Sequence, residues 1–188
     1  AGSQPMLHPN DKDISLVCNG EIYNYRQLAD EFGISLSSNS DCEIILHLYK
    51  LMPLSELLLK LDGVFAFVLN DSSRGVVYAA RDPFGVRPMF MGTSNDTVFF
   101  ASECKAISNL CDKVEHFLPG TYWSSETSIS ERYYFHSYGD VQVTNEADIC
   151  IGIRESLEQA VIKRLTSDRE IGCLLSGGLD SSLIAALV

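Results

Sequence analysis

The segment at 176–182 reads Ser-Gly-Gly-Leu-Asp-Ser-Ser and has the residue types and spacing of a phosphate-binding turn. An apolar run at 171–175 precedes it and predicts a buried parallel strand. Gly177 and Gly178 permit a tight turn that a ligand can approach closely. Asp-Ser-Ser supplies capping residues for a helix that the apolar run at 183–188 predicts. A strand, a glycine turn and a helix start therefore follow one another.

The backbone N–H groups of such a turn form a site for anions. The common Gly-x-x-x-x-Gly-Lys-Ser/Thr loop is absent, so the Lys that would reach the outer phosphates is missing. The pattern predicts a pyrophosphate cradle with a carboxylate, Asp180, beside it for Mg²⁺. This arrangement suits cleavage of ATP between the α and β phosphates. A Ser-Gly-Gly turn alone is an ordinary turn, but Asp-Ser following it between strand and helix favours a nucleotide site. These residues resemble the ATP pyrophosphatase loop family, which includes asparagine, argininosuccinate, GMP and NAD synthetases.

Length and composition allow one full domain and part of a second: there are 188 residues, of which 46% are hydrophobic. The net charge of −11 argues against nucleic acid or an anionic membrane as a partner. No apolar run is long enough for a transmembrane helix. The six cysteines show neither a Cys-x-x-Cys pair nor a metal-binding spacing with the histidines, which favours a reducing compartment and a cytoplasmic enzyme.

Helices and then short strands are predicted over residues 1–145, which indicates an α+β layered domain. A strand at 14–18 ends in Asn19-Gly20. Asn24 can cap a helix to about 32, and Ser40 and Glu43 form a capping box for a helix to about 52. The remaining predictions are a helix at 55–61, antiparallel strands at 64–69, 76–80, 88–91 and 98–101, and an edge strand with a crossing segment at 124–147.

A second, α/β domain is predicted over 146–188. Apolar residues recur at helical spacing between 146 and 166, and the segment at 171–175 supplies the predicted strand. A parallel strand needs neighbours on both sides, so this domain is expected to be truncated.

Four further motifs precede the phosphate-binding turn in a fixed order. They are Asn-Gly-Glu-Ile-Tyr-Asn at 19–24, Ser-Asp-Cys-Glu at 40–43, Arg-Asp-Pro-Phe-Gly-Val-Arg-Pro at 81–88 and Ala-Ser-Glu-Cys-Lys at 101–105. Together the five resemble the glutamine-hydrolysing asparagine synthetases. The resemblance implies an N-terminal-nucleophile αββα sandwich with antiparallel sheets, a class II glutamine amidotransferase, followed by a parallel α/β ATP pyrophosphatase domain. It also implies that ammonia from glutamine attacks a β-aspartyl-adenylate made from aspartate and Mg-ATP.

The resemblance assigns roles to residues at two sites. The Asn19 side-chain amide and the Gly20 N–H would form the oxyanion hole, Glu21 would lie beside glutamine in the same turn, and Asp41 would bind its α-ammonium group. Arg81, Asp82 and Arg87 would form an architectural ion-pair corner. In the ATP loop the pyrophosphate would contact Ser176, Gly177, Gly178, Ser181 and Ser182, Asp180 would hold Mg²⁺, and Leu174 would line the adenine.

The nucleophile of that family is an N-terminal cysteine, whereas residue 1 is Ala. Cys18 is more typical of a small buried residue, and Cys42 has no predicted histidine partner. The chain is therefore expected to be an inactive fragment of the parent enzyme, which could be a homodimer. The alternatives are a β-lactam synthetase-like amide ligase, a catalytically dead binding or regulatory module, and an amidotransferase of purine or hexosamine synthesis.

Overall fold

A computed structural model of the chain describes residues 3–137, 139, 145–167 and 170–188. The chain forms two compact units, Ala1–His136 and Ser137–Val188. The domain boundary predicted at 145/146 stays a prediction, and residues 138 and 140–144 of the predicted crossing segment lie outside the described residues.

The first unit is built on a six-stranded antiparallel sheet in the order β1-β2-β3-β4-β8-β9. Its central pair, β2 and β3, runs from Ile14 opposite Asp71 to Ile22 opposite Gly63. The strands of this sheet are β1 (Met6–His8), β2 (Asp11–Ile22), β3 (Gly63–Asp71), β4 (Val76–Arg81), β8 (Thr121–Ser124) and β9 (Ile129–Arg132).

One face of this sheet packs against three helices, α1 (Tyr25–Phe32), α2 (Glu43–Leu51) and α3 (Leu54–Lys60). Successive side chains of a strand point to opposite faces, so Phe65, Phe67 and Leu69 of β3 enter this helix-facing core together. All three are at most 1% exposed. From α2, the buried residues Ile44, Ile45, Leu46 and Leu48 join them. Through this core the three helices pack against one face of β2.

The other face of the same sheet packs against a second sheet of three strands, in the order β6-β5-β7. Its strands are β5 (Phe90–Ser94), β6 (Thr97–Ala101) and β7 (Lys113–His116), with a 3₁₀ turn at Cys104–Ala106. The core between the sheets contains Ala66, Ala79, Met89, Phe117 and Trp123. The described part of this unit therefore has three layers, helices, sheet and sheet, which correspond to three of the four layers of the predicted αββα sandwich.

Two predictions of local structure in this unit were wrong in detail. The strand predicted at 14–18 continues as β2 to Ile22, because residues 19–22 stay in register with β3. Asn24 stands at the N-cap position of α1 but makes no side-chain cap. Its amide instead donates to the Lys60 carbonyl at 2.8 Å and accepts from the Asp62 N–H at 3.0 Å, so it ties the end of α3 to the start of α1.

The second unit contains the helices α4 (Glu146–Arg164) and α5 (Leu179–Leu187). The Asn145 side chain caps α4 by accepting the Ala147 N–H at 3.0 Å, and α4 confirms the predicted helix. The buried parallel strand predicted at 171–175 was wrong. These residues form no strand, and Ile171, Leu174 and Leu175 are exposed. A parallel strand is stable only between neighbouring strands, and the described part of this unit contains none.

None of the helices that the structure describes is both long and apolar enough to cross a membrane.

Candidate functional site

The edge of β2 beyond its pairing with β1 presents three backbone donors that no neighbouring strand uses, and for one of them, the Gly20 N–H, none of the described residues supplies an acceptor. In the β2–β3 ladder Gly20 lies opposite Phe65. Phe65 turns its backbone to the other side, since its N–H and C=O both bond to Asp82. Residues of an antiparallel pair alternate between bonded and non-bonded, so Gly20 points its own N–H away from β3. Cys18 and Ile22 point the same way.

Two side chains occupy this edge on either side of Gly20. The pairing of β1 with β2 reaches only Leu16, opposite Met6. Beyond it, the Gln4 carboxamide accepts from the Cys18 N–H at 3.0 Å and donates to the Cys18 carbonyl at 2.7 Å. The Asp41 Oδ2 atom accepts from the Ile22 N–H at 2.6 Å. The Gly20 N–H lies between these two bonded positions.

Only glycine fits at position 20. A Cβ atom there would lie 2.5 Å from the Val64 carbonyl oxygen and 2.8 Å from the Phe65 Cα. The close approach of β2 to β3 therefore depends on the missing side chain, and the direction of the Gly20 N–H depends on that approach.

Asn19 lies on the sheet face opposite the helix-facing core and is exposed. Its Nδ2 atom donates to the Ser102 Oγ at 3.4 Å, which links β2 to the segment after β6. The expectation that Asn19, Gly20 and Glu21 share a turn was wrong, because all three belong to β2. The strand continues since Ala66, Phe65 and Val64 of β3 pair with them in turn.

The capping box predicted at Ser40 and Glu43 was also wrong. The Glu43 carboxylate accepts the backbone N–H groups and hydroxyls of Ser37 and Ser38 instead, at 2.5–2.8 Å. Burial alone would raise the pKa of Glu43, but the hydrogen bonds from Ser38 and Ser37 lower it to about 2. Glu43 thus holds the loop that leads into Asp41, while Asp41 is left to face β2.

The two cysteines nearest this edge are buried. Cys18 is 6% exposed and Cys42 is 3% exposed. A hydrogen bond with Cys18 and burial raise the pKa of the Cys42 thiol far above its ordinary value. A nucleophilic cysteine reacts as the thiolate, so Cys42 has the wrong environment for this role. The interpretation of Cys18 as a small buried residue is confirmed.

The corner at 81–88 is held by hydrogen bonds to the backbone rather than by the expected ion pairs. The buried Arg81 guanidinium donates to the carbonyls of Arg87, Phe117 and Gly85 at 2.6–2.8 Å. The Asp82 carboxylate accepts four backbone N–H groups, those of Phe65, Phe84, Val86 and Arg87, at 3.0–3.2 Å. One of them belongs to the β3 residue opposite Gly20, so Asp82 also supports the edge of β2.

In the second unit the residues at 176–182 form an exposed turn at the start of α5. Gly177 adopts a left-handed conformation with φ of 82°, which glycine reaches without strain. The Ser176 and Ser181 hydroxyl oxygens lie 2.9 Å apart, and Ser181 also donates to the Gly178 carbonyl at 3.1 Å. Gly178 is the N-cap, so the predicted capping by Asp180–Ser182 was wrong; Asp180 lies in the first turn of α5.

Comparison with known proteins shows the family to which the chain belongs. A family model described as a glutamine amidotransferase domain matches residues 1–109, more than half of the chain. The chain belongs to this family of glutamine amidotransferase domains. A second model, described as asparagine synthase, matches residues 152–188 of this amidotransferase chain.

Curated relatives of this amidotransferase are named glutamine-hydrolysing asparagine synthetases. The probable enzyme of Dictyostelium discoideum is 42% identical over 197 aligned positions, which cover 100% of this chain and 35% of the relative. The probable enzyme of Schizosaccharomyces pombe is 42% identical, with 100% and 34% covered. The Gallus gallus enzyme is 40% identical, with 100% and 38% covered. The chain spans about a third of the length of these relatives.

Solved structures confirm the α+β fold of the N-terminal-nucleophile type. One is titled the allosteric regulatory enzyme of purine biosynthesis, and the other is glutamine phosphoribosylpyrophosphate amidotransferase from B. subtilis with ADP and GMP. Each superposes with a TM-score of 0.62 at 26% identity and covers 71% of this chain. The alignments cover 31% and 32% of those two chains.

The structure therefore brings Asn19, Gly20, Glu21 and Asp41 to one edge of the amidotransferase sheet, although their roles stay predictions. Two polar residues at this edge, Gln4 and Ser102, are not predicted by the sequence alone. Ser102 lies within the motif at 101–105, which signals its importance without giving a role. No periodicity or motif points to Gln4.

Proposed function

We propose that the first unit is the glutaminase part of a glutamine-hydrolysing asparagine synthetase, and that the whole protein makes asparagine from aspartate, ATP and glutamine. In this reaction glutamine hydrolysis supplies ammonia, which attacks a β-aspartyl-AMP intermediate. The observation that carries the proposal is the outward-facing Gly20 N–H between two side-chain-bonded positions of β2. A donor held in this way can meet the negative charge that develops on the glutamine carbonyl oxygen in the tetrahedral intermediate.

The Asn19 amide supplies the second donor. Its contact with Ser102 is long, at 3.4 Å, and Asn19 is exposed, so little holds the amide away from a bound substrate. The nucleophile of this family is an N-terminal cysteine, and the two cysteines nearest the Gly20 N–H, Cys18 and Cys42, are buried. We therefore expect no glutaminase activity from these 188 residues alone.

Asp41 is suited to hold the α-ammonium group of glutamine. Its Oδ2 atom is occupied by the Ile22 N–H, whereas none of the residues that the structure describes donates to its Oδ1 atom. A carboxylate fixed through one oxygen presents the other in a defined direction, and a charged hydrogen bond to an ammonium group is stronger than a neutral one. Glu21 would lie beside the substrate on the same strand.

The turn at 176–182 is suited to the pyrophosphate part of ATP. The left-handed Gly177 leaves open space where a Cβ would stand, and the backbone N–H groups that begin α5 can donate hydrogen bonds to an anion. Ser176, Gly178, Ser181 and Ser182 would supply further contacts, and Leu174, which is 97% exposed, would cover the adenine. Asp180 would hold Mg²⁺ together with the phosphates, since Mg²⁺ usually takes one or two carboxylates and substrate oxygens. When bound, Mg²⁺ would neutralise charge on the leaving pyrophosphate.

A substitution at Asn19 tests the glutaminase proposal in the whole protein. For Asn19→Ala we expect glutamine-dependent asparagine formation to fall about 10²- to 10³-fold, the usual cost of one oxyanion donor. Asparagine formation from ammonia should be unchanged, because ammonia bypasses the first site. Asn109→Ala is the matched control, since Asn109 is exposed in the loop before β7. Equal glutamine-dependent rates in Asn19→Ala and wild type would contradict the role of Asn19.

The likeness to purine amidotransferases makes such an enzyme the second candidate, but the asparagine synthase match at 152–188 favours the first. Formation of AMP and asparagine from aspartate, ATP and glutamine by the whole protein distinguishes them. Two finer points are further proposals: a homodimer, to be checked by light scattering, and a cytoplasmic location, to be checked by cell fractionation.

A further inference from the structure

The Gln4 side chain takes the place of a neighbouring strand's backbone at the edge of β2 that carries the Gly20 N–H. Its carboxamide makes both hydrogen bonds that a backbone peptide group would make with Cys18, at 3.0 Å and 2.7 Å. An antiparallel neighbour bonds to one residue in this two-way manner. The pairing of β1 ends opposite Leu16. Cys18 is therefore the first residue of β2 whose backbone groups point to this side without a partner strand.

The position of this contact decides what it can influence. Along a strand, the backbone N–H and C=O groups of every second residue point to the same side. Those of Cys18, Gly20 and Ile22 therefore all point toward this edge. Gln4 holds the first and Asp41 holds the third. The middle residue, Gly20, has no side chain of its own to restrain it. Its peptide plane is set by β3 on one side and by these two flanking contacts on the other.

We propose that Gln4 is a positioning residue for glutamine hydrolysis, which fixes the direction of the Gly20 N–H through the backbone of Cys18. This inference rests on the proposed glutaminase function. Gln4 does not need to contact glutamine for this role. Because the Gly20 N–H serves the charge that develops during reaction, loss of Gln4 should affect kcat more than KM for glutamine.

Two variants remove the contact in different ways. Gln4→Met keeps the length of the side chain and removes both hydrogen bonds. Gln4→Glu keeps the acceptor for the Cys18 N–H but places a carboxylate oxygen opposite the Cys18 carbonyl. Gln27→Met is the matched control, because Gln27 is exposed on α1 and takes no part in the hydrogen bonds of Cys18 and Ile22 at this edge.

The kinetic test uses the whole protein that contains this chain. For both Gln4 variants we expect the glutamine-dependent kcat to fall about tenfold to a hundredfold, less than the full loss of an oxyanion donor, with KM for glutamine changed less than about threefold. Ammonia-dependent synthesis and the Gln27→Met variant should match wild type. A kcat for glutamine that is unchanged in Gln4→Met, or that falls together with ammonia-dependent synthesis, would overturn the proposal.

A measurement on the 188-residue chain keeps this inference separate from the proposed function. In Gln4→Met we expect the Cys18 amide to exchange its hydrogen several-fold to about tenfold faster, as for the loss of one hydrogen bond. We also expect the amide resonance of Gly20 to move. If neither changes, Gln4 does not position Gly20, whatever the protein catalyses. If both change but the wild-type whole protein has no glutamine-dependent activity, the proposed function fails, and with it the catalytic role of Gln4.

Discussion

Replacement of Asp82 by Asn should strongly destabilise the first unit, although the two side chains have nearly the same shape. Asp82 is 1% exposed, and each of its carboxylate oxygens accepts two backbone N–H groups. In Asp82→Asn one oxygen can keep its two donors, but the new NH₂ group faces the other two. Two backbone N–H groups, of which at least one is only partly buried, then lose a charged acceptor, at about 1.5–3 kcal/mol each. The expected loss is about 3–6 kcal/mol, a large share of the roughly 5–15 kcal/mol that stabilises a typical protein.

Urea unfolding followed by tryptophan fluorescence measures this loss. Trp123 is the single tryptophan of the chain and is 5% exposed between the two sheets, so its emission reports the first unit. The control is Asp96→Asn, because Asp96 is exposed in the turn between β5 and β6 and should change the free energy of unfolding by no more than about 0.5 kcal/mol. If Asp82→Asn loses less than about 1 kcal/mol with an unchanged urea slope, then hydrogen bonding by the carboxylate does not hold this corner.

Three further perturbations can be followed with the same assay. Gly20→Ala should cost about 1–3 kcal/mol, because its Cβ would lie 2.5 Å from the Val64 carbonyl oxygen; Asn19→Ala on the same strand should cost no more than about 0.5 kcal/mol, and equal values would contradict the packing argument. Glu43→Gln should destabilise the protein at neutral pH. The folded-state pKa of Glu43 is lowered from 4.5 to about 2. The difference in the free energy of unfolding between wild type and Glu43→Gln should therefore shrink as the pH falls from 4.5 and vanish near 2. A difference that does not change with pH would refute this role of the Glu43 carboxylate. Burial and the neighbouring His47 lower the pKa of His8, with Lys50 acting in the same direction and Asp11 and Glu43 opposing it. Wild type should therefore lose stability as the pH falls below 6.5, more steeply than His8→Gln, and parallel profiles would exclude His8 as the cause.

The sequence by itself determined the elements whose pattern is local. Alternating apolar residues in 64–69 predict a strand, and Phe65, Phe67 and Leu69 do share one face of β3. The apolar spacing of 146–166 likewise predicts α4. The order of five short motifs indicated the family, because the types of residue in a motif can be read without knowing where the chain places them.

The sequence did not determine which polar groups meet. Local preference gave Glu43 a capping role at Ser40, yet the donors of Ser37 and Ser38 compete successfully for its buried carboxylate. The run at 171–175 has the composition of a buried strand but no neighbour among the described residues to pair with it. In each case a contact partner, and not the segment itself, decides the conformation.

The edge of β2 shows most plainly what only the tertiary structure decided. Asn19 and Gly20 are recognisable in the sequence, but the Gly20 N–H points outward because Gly20 pairs with Phe65. Gln4 and Asp41, which are separated from their partners by 14 and 19 residues, reach this edge because β1 stops at its pair with Leu16. Residue type therefore gave the chemistry of the site. Strand register and strand length gave its geometry, since these depend on pairing between distant segments.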